Sequence, residues 1–229
     1  MISTDDEVQM GRKLAKRVKA ELNILEDEPV QERVRTIGAR LAAVCDRREL
    51  LYEFAVVHDD ETNAFALPGG YVFVNDGLIT QMDGDDELAA VIAHEIGHIS
   101  ARHAVKQYEM GVGAQLLQLA AMAAGEGSSA RGVGVATQAA RLSYAREDEL
   151  QADRLGVRYM KAAGFDPTAA LRVLKKLEAD NAKHRHYLPR DMVRPQYAMN
   201  HPYVPDRIRA VKEALYGVAD YVDYLNSTN

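Results

Sequence analysis

His94, Glu95 and His98 stand in the pattern His-Glu-x-x-His, inside a stretch that runs over residues 85–105. Leu88, Val91, Ile92, Ile96 and Ile99 recur there at helical rather than strand spacing. Residues four apart on a helix share a face, so His94 and His98 can direct two imidazoles at one metal ion. Glu95 is turned about 100° from His94, which puts its carboxylate beside the metal and not on it. From there it can take a proton from water that the metal activates. A buried helix that merely contains two histidines is the plainer reading of the same residues. A catalytic zinc site needs a third protein ligand and one open position, so the rest of the chain must supply that ligand.

One elongated form of the pattern places a glycine and then a further histidine beyond the second. Ala101 and Ala104 occupy those positions here and exclude it. On a continuous helix His103 faces away from His94 and reads as a satisfied or exposed histidine. The alternative is a carboxylate from another helix. Glu147, Asp148 and Glu149 open the next strongly helical stretch, and only Glu149 has a carboxylate one turn on, at Asp153. That pair suits a ligand plus an acid that receives a ligand histidine's other N–H. An acidic first turn also complements a helix dipole with no metal at all.

The elements that must position these residues follow from period and punctuation. Residues 7–22 read as an amphipathic helix. A second follows Asp27, with Val30, Val34, Ile37, Leu41 and Val44 on one stripe and Pro29 in the first turn. Residues 52–57 are strand-like, and residues 63–67 and 71–74 flank Pro68-Gly69-Gly70 as a hairpin. Residues 77–82 start a short helix that Asp83-Gly84 breaks. Residues 114–124 read as a buried apolar helix and 125–134 as a flexible loop. Residues 147–163 form a helix stopped by Gly164. Asp166-Pro167 opens another, to about Ala179. Residues 181–202 read as irregular, and a last helix covers 205–216. With no repeat and no clear boundary, the expectation is a single domain over 1–229. Its class is α+β, helix-rich, with a small sheet beside the helix of His94 and His98.

Composition narrows the function classes. A net charge of -6 gives no footprint for nucleic acid. Cys45 is the only cysteine, which excludes an internal disulfide and a cysteine metal site, and it reads as a core thiol. No apolar run approaches the roughly 18 residues of a membrane span. The N-terminus lacks the apolar core of a signal peptide. Two locations follow: cytoplasmic as it stands, or periplasmic or cell-envelope if a signal sequence has been removed.

With His94-Glu95-x-x-His98 and Glu149-x-x-Ala152-Asp153 in hand, the chain resembles the gluzincin peptidases that include the CAAX prenyl protease, HtpX and BepA. The segment 63–70 is similar to the strand and turn that precede that family's metal helix. His201-Pro202 with Arg207-Ile208 resembles its His-Pro-x-x-x-x-Arg-Ile element. The likeness covers nearly the whole chain and is strongest to the BepA-like branch, although that branch's helical repeats have no counterpart here. It implies one zinc per chain on His94, His98 and Glu149, with Glu95 as general base and acid. It also implies that Asp153 orients a ligand histidine and that Arg207 braces the carboxylates. His201 would stabilise the transition state or occupy the open position.

The expected function is zinc-dependent endopeptidase action on unfolded or misassembled polypeptides, in protein quality control. His201 or Tyr203 would hold the oxyanion. An edge strand, either Asn63, Ala64, Phe65 and Ala66 or residues 71–74, would bind substrate as an added strand. The rival is a zinc-stabilised, chaperone-like binding module with little turnover, its cleft covered by residues 181–202.

Overall fold

The computed structural model describes residues 1–110, 143–185 and 201–217, with backbone alone at 180–185. The expected helix at 114–124, the loop at 125–134 and most of the segment 181–202 lie outside the described residues. Helix α1 spans Thr4–Glu21, capped by the Ser3 side chain, which accepts from the Asp6 N–H at 3.1 Å. Helix α2 spans Glu28–Ala42, where Asp27 accepts from the Val30 N–H at 3.2 Å and Pro29 sits in the first turn. Strands β1 (Glu53–Val57), β2 (Ala64–Leu67) and β3 (Tyr71–Asn75) form one mixed sheet. The strand order is β1-β3-β2, with β1 parallel and β2 antiparallel to β3.

The sheet is covered on both faces, and the period of two divides its side chains between them. Phe54, Val56, Ala64, Ala66, Val72 and Val74 join the main core. Ala55, Val57, Phe65, Leu67 and Phe73 pack with Leu14, Ala15 and Val18 of α1. Phe65 and Phe73 are cross-strand partners, with stacked rings 5.1 Å apart.

A short helix, α3 (Asp76–Ile79), leads to α4 (Asp85–Ser100), which is buried without interruption from Glu87 to Ile99. A helix buried on all sides is a core helix, and α4 is the axis of this molecule. It meets the sheet, α2, α6 (Arg146–Ala163) and α7 (Ala169–Arg185). Helix α6 stops at Gly164, whose φ of 76° is the left-handed conformation that glycine adopts without cost. Helix α8 (Val204–Tyr216) packs on α6 and α7 through Val157, Leu174, Val204 and Val211.

Three expectations need correction. The helix expected over 85–105 is two: α4 ends at Ser100, and α5 (His103–Glu109) begins after Arg102, which has a left-handed φ of 58°. The helix expected to end near Ala179 continues to Arg185. Residues 71–74 cannot be a free substrate edge, because β3 is the central strand and pairs on both sides.

Candidate metal centre

Two glycines set the approach of α4 and α6. A Cβ on Gly97 would lie 2.7 Å from the Ala152 carbonyl oxygen, and one on Gly156 would lie 3.3 Å from the backbone of Ala93 and His94. The helices therefore touch nearly backbone to backbone, and the His94–His98 face of one meets the Glu149–Asp153 face of the other. Beyond them His201 comes in just ahead of α8.

His94, His98, Glu149 and His201 each offer a ligand atom, and these atoms all lie within 4.8 Å of one another. His94 Nε2 is 3.0 Å from His98 Nε2 and 3.1 Å from His201 Nδ1. Glu149 reaches His201 Nδ1 at 3.1 Å, and His94 and His98 at 3.5 Å. Glu149 is fully buried, whereas the side chains of Glu147 and Asp148 are 75% and 25% exposed. Glu95 is fully buried too; neither of its oxygens makes a hydrogen bond, and Oε1 stands 3.4 Å from His201 Nε2.

Around this cluster runs a second layer of contacts. His94 Nδ1 donates to Asp153 at 2.8 Å. Arg207, itself buried, forks onto both Asp153 oxygens at 2.8 Å, and it reaches Glu149 at 3.2 Å and the His201 carbonyl at 3.3 Å. Burial alone would raise the Glu149 carboxyl, but His201 and Arg207 outweigh it and hold it well below the usual carboxylate range. Asp153 is lowered against its own burial by Arg207 and His94. Burial and the neighbouring His94 hold His98 well below the ordinary imidazole value, so its lone pair is available.

These residues fit a metal ion. The Nε2 atoms of His94 and His98 approach at 3.0 Å, a contact that needs a proton or a metal cation between them. The buried carboxylates Glu95, Glu149 and Asp153 stand against Arg207 and against His94, which Asp153 and Glu149 push up to about 9 in spite of burial and Arg207; negative charge is still in excess, and a divalent ion balances it.

Residues 28–215 match the family model described as peptidase family M48. The chain belongs to peptidase family M48. It is 30% identical over 240 residues to the beta-barrel assembly-enhancing protease of Yersinia pestis, covering 98% of this chain and 48% of that protein. Against the Escherichia coli (strain K12) protein of the same name it is 30% identical over 218 residues, 90% of this chain and 43% of the relative. It is also 30% identical over 217 residues to the mitochondrial metalloendopeptidase OMA1 of Schizosaccharomyces pombe, 93% of this chain and 62% of that one. The chain spans about half the length of the curated relatives it matches.

Within this M48 site two residues escaped the sequence reading. His103, read from sequence as satisfied or exposed and facing away from the site, is satisfied but faces it. The turn at Arg102 swings it back, and it is fully buried with Nδ1 2.9 Å from His98 Nδ1. No glycine or proline marks that turn. The aromatic packed on the site is Tyr144, whose ring stacks on His98 at 4.0 Å and lies 6.1 Å from His201. Tyr203, offered from sequence as an oxyanion partner, is instead 45% exposed at the N-cap of α8. Only proximity to the Glu149 helix could have pointed to Tyr144.

Proposed function

We propose that this chain is a zinc-dependent endopeptidase. His94, His98 and Glu149 hold one zinc per chain, a nitrogen and carboxylate donor set that suits zinc better than calcium or magnesium. When bound, zinc polarises the scissile carbonyl and acidifies water. Glu95 takes the proton from the attacking water and passes it to the leaving amine. A buried carboxylate whose oxygens make no hydrogen bond, next to the ligand cluster, is the observation that carries this reading.

His201 borders both Glu95 and Glu149, which supports a role either on the developing oxyanion or in the open ligand position. Asp153 and Arg207 orient His94 and Glu149 from behind. Strand β2 pairs with β3 and lies at one end of the sheet order, which supports Asn63, Ala64, Phe65 and Ala66 as the edge to which an extended peptide would add, although all four are buried in this conformation. Binding through backbone groups suits substrates of varied sequence, such as unfolded or misassembled proteins. The curated relatives named beta-barrel assembly-enhancing proteases support quality control in the cell envelope as the setting. Among the described residues no helix is long and apolar enough to cross a membrane.

A zinc-stabilised binding module with little turnover has no use for a buried carboxylate without hydrogen bonds at the metal cluster, and that rival is not favoured. A casein digest separates the two. Zinc-loaded wild type should cleave casein, while Glu95→Gln should keep its zinc and lose cleavage. Equal turnover by both proteins would remove Glu95 from the chemistry.

A further inference from the structure

The two histidines of the metal-binding pattern are held from behind by different chemistry. His94 faces an anion, Asp153, at 2.8 Å. His98 faces a second imidazole: its Nδ1 lies 2.9 Å from Nδ1 of His103. The other His103 nitrogen, Nε2, lies 3.1 Å from the Gln151 amide oxygen and 3.4 Å from Asp148. His103 is fully buried, so the contact is not diluted by water. Tyr144 covers one face of the His98 ring, with the two planes 24° apart.

Two nitrogens at that distance share one proton, and the surroundings fix which ring carries it. The Asp148 carboxylate can only accept, and the Gln151 amide turns its oxygen the same way, so the His103 Nε2 donates. A neutral His103 then has a lone pair on Nδ1, which accepts from the His98 Nδ1–H. His98 is left with its lone pair on Nε2, the atom that faces His94 and Glu149. Every donor in the line from His98 through His103 to Gln151 points the same way.

We infer that His103 is a positioning residue, which with Gln151 holds His98 in the tautomer that presents Nε2 to zinc. It is the neutral counterpart of Asp153 behind His94. The inference rests on the reading of His98 as a zinc ligand. Without an acceptor, the buried His98 Nδ1–H would go unsatisfied whenever Nε2 bound metal, and the ring would be free to turn or change tautomer. The turn at Arg102 is what makes this possible, since a continuous helix would carry His103 away from His98.

The test measures zinc affinity of the full chain by competition with a chromogenic chelator. His103→Phe fills the site but removes the acceptor; His103→Asn leaves space unfilled but puts an amide oxygen close to where Nδ1 was. Loss of about 10–100-fold in affinity is expected for Phe, with Asn within about fivefold of wild type. A packing role predicts the reverse order, and Asn as weak as Phe, or Phe as tight as wild type, overturns the proposal. His98→Ala runs alongside: if it binds zinc like wild type, the ligand reading beneath the proposal has failed, and not the relay. Independently of any variant, nitrogen-15 NMR of the zinc-loaded wild type should show His98 protonated at Nδ1 and His103 at Nε2. The opposite tautomer on either ring overturns the proposal.

Discussion

At the scale of single residues, three consecutive acids open α6 and meet three different environments. Glu149 is fully buried among His94, His98 and His201. Glu147 points to solvent and pairs with Arg146, while Asp148 sits 3.4 Å from the rear nitrogen of His103. A helix turns about 100° per residue, so only one of three neighbours can face α4 squarely. Glu149→Ala should therefore lose most bound zinc on dialysis, and Glu147→Ala and Asp148→Ala should keep it, as read by metal analysis. Asp153→Asn should weaken zinc by about 10–100-fold without abolishing it, because His94 keeps its place but loses the anion behind it. Zinc retained in Glu149→Ala and lost in Glu147→Ala would put the ligand on the wrong face of α6.

At the scale of elements, the crossing of α4 over α6 depends on what is missing from Gly97. Replacing a helical glycine with alanine gains up to about 1 kcal/mol of helix propensity. A Cβ at Gly97, however, would meet the Ala152 carbonyl at 2.7 Å and its Cα at 3.0 Å, and backbone cannot rotate aside as a side chain can. Overpacking of that kind costs about 1–3 kcal/mol, so sterics win. Gly97→Ala should lower the denaturant midpoint and also weaken zinc, since it parts the two ligand-bearing faces. At Gly156 the closest atoms stand at 3.3 Å, and the two effects nearly cancel. Gly156→Ala should stay within about 1 kcal/mol of wild type. Chemical denaturation ranks the pair, and a Gly97→Ala protein more stable than wild type would mean the helices part freely.

At the scale of the whole molecule, the centre joins segments that are distant in the chain: α4, α6 and the approach to α8. Its carboxylates are buried with too little positive charge to match them, so the fold without metal carries an electrostatic penalty. Zinc bound to the folded state alone should stabilise it by about 2.7 kcal/mol at a free concentration one hundred times Kd. Stripping zinc with a chelator should lower the thermal midpoint, and adding zinc back should restore it. A midpoint indifferent to both would show that zinc does not bind the folded chain.

Much of this was legible in sequence because it is local. The His94–His98 and Glu149–Asp153 spacings each lie within one helix, where the backbone period alone fixes which side chains share a face. The β2–β3 hairpin was announced by Pro68-Gly69-Gly70, and the Gly164 stop by glycine's tolerance of positive φ. His201 and Arg207 were reachable only through resemblance, because nothing in a His-Pro step or an early-helix arginine encodes a contact with α4 and α6. Tertiary structure alone decided the rest. Alternating apolar residues say that a strand is covered but not which strand is central, so β3 looked as eligible an edge as β2. His103 was misplaced because Ser100-Ala101-Arg102 contains no residue that breaks a helix by itself. The left-handed turn at Arg102 is accompanied by tertiary contacts: its guanidinium donates to the buried Glu7 carboxylate at 2.8 Å and to the Ile2 carbonyl at 2.7 Å. Those partners lie near the N-terminus, 95 and 100 residues away in the chain, and no local pattern can foresee them.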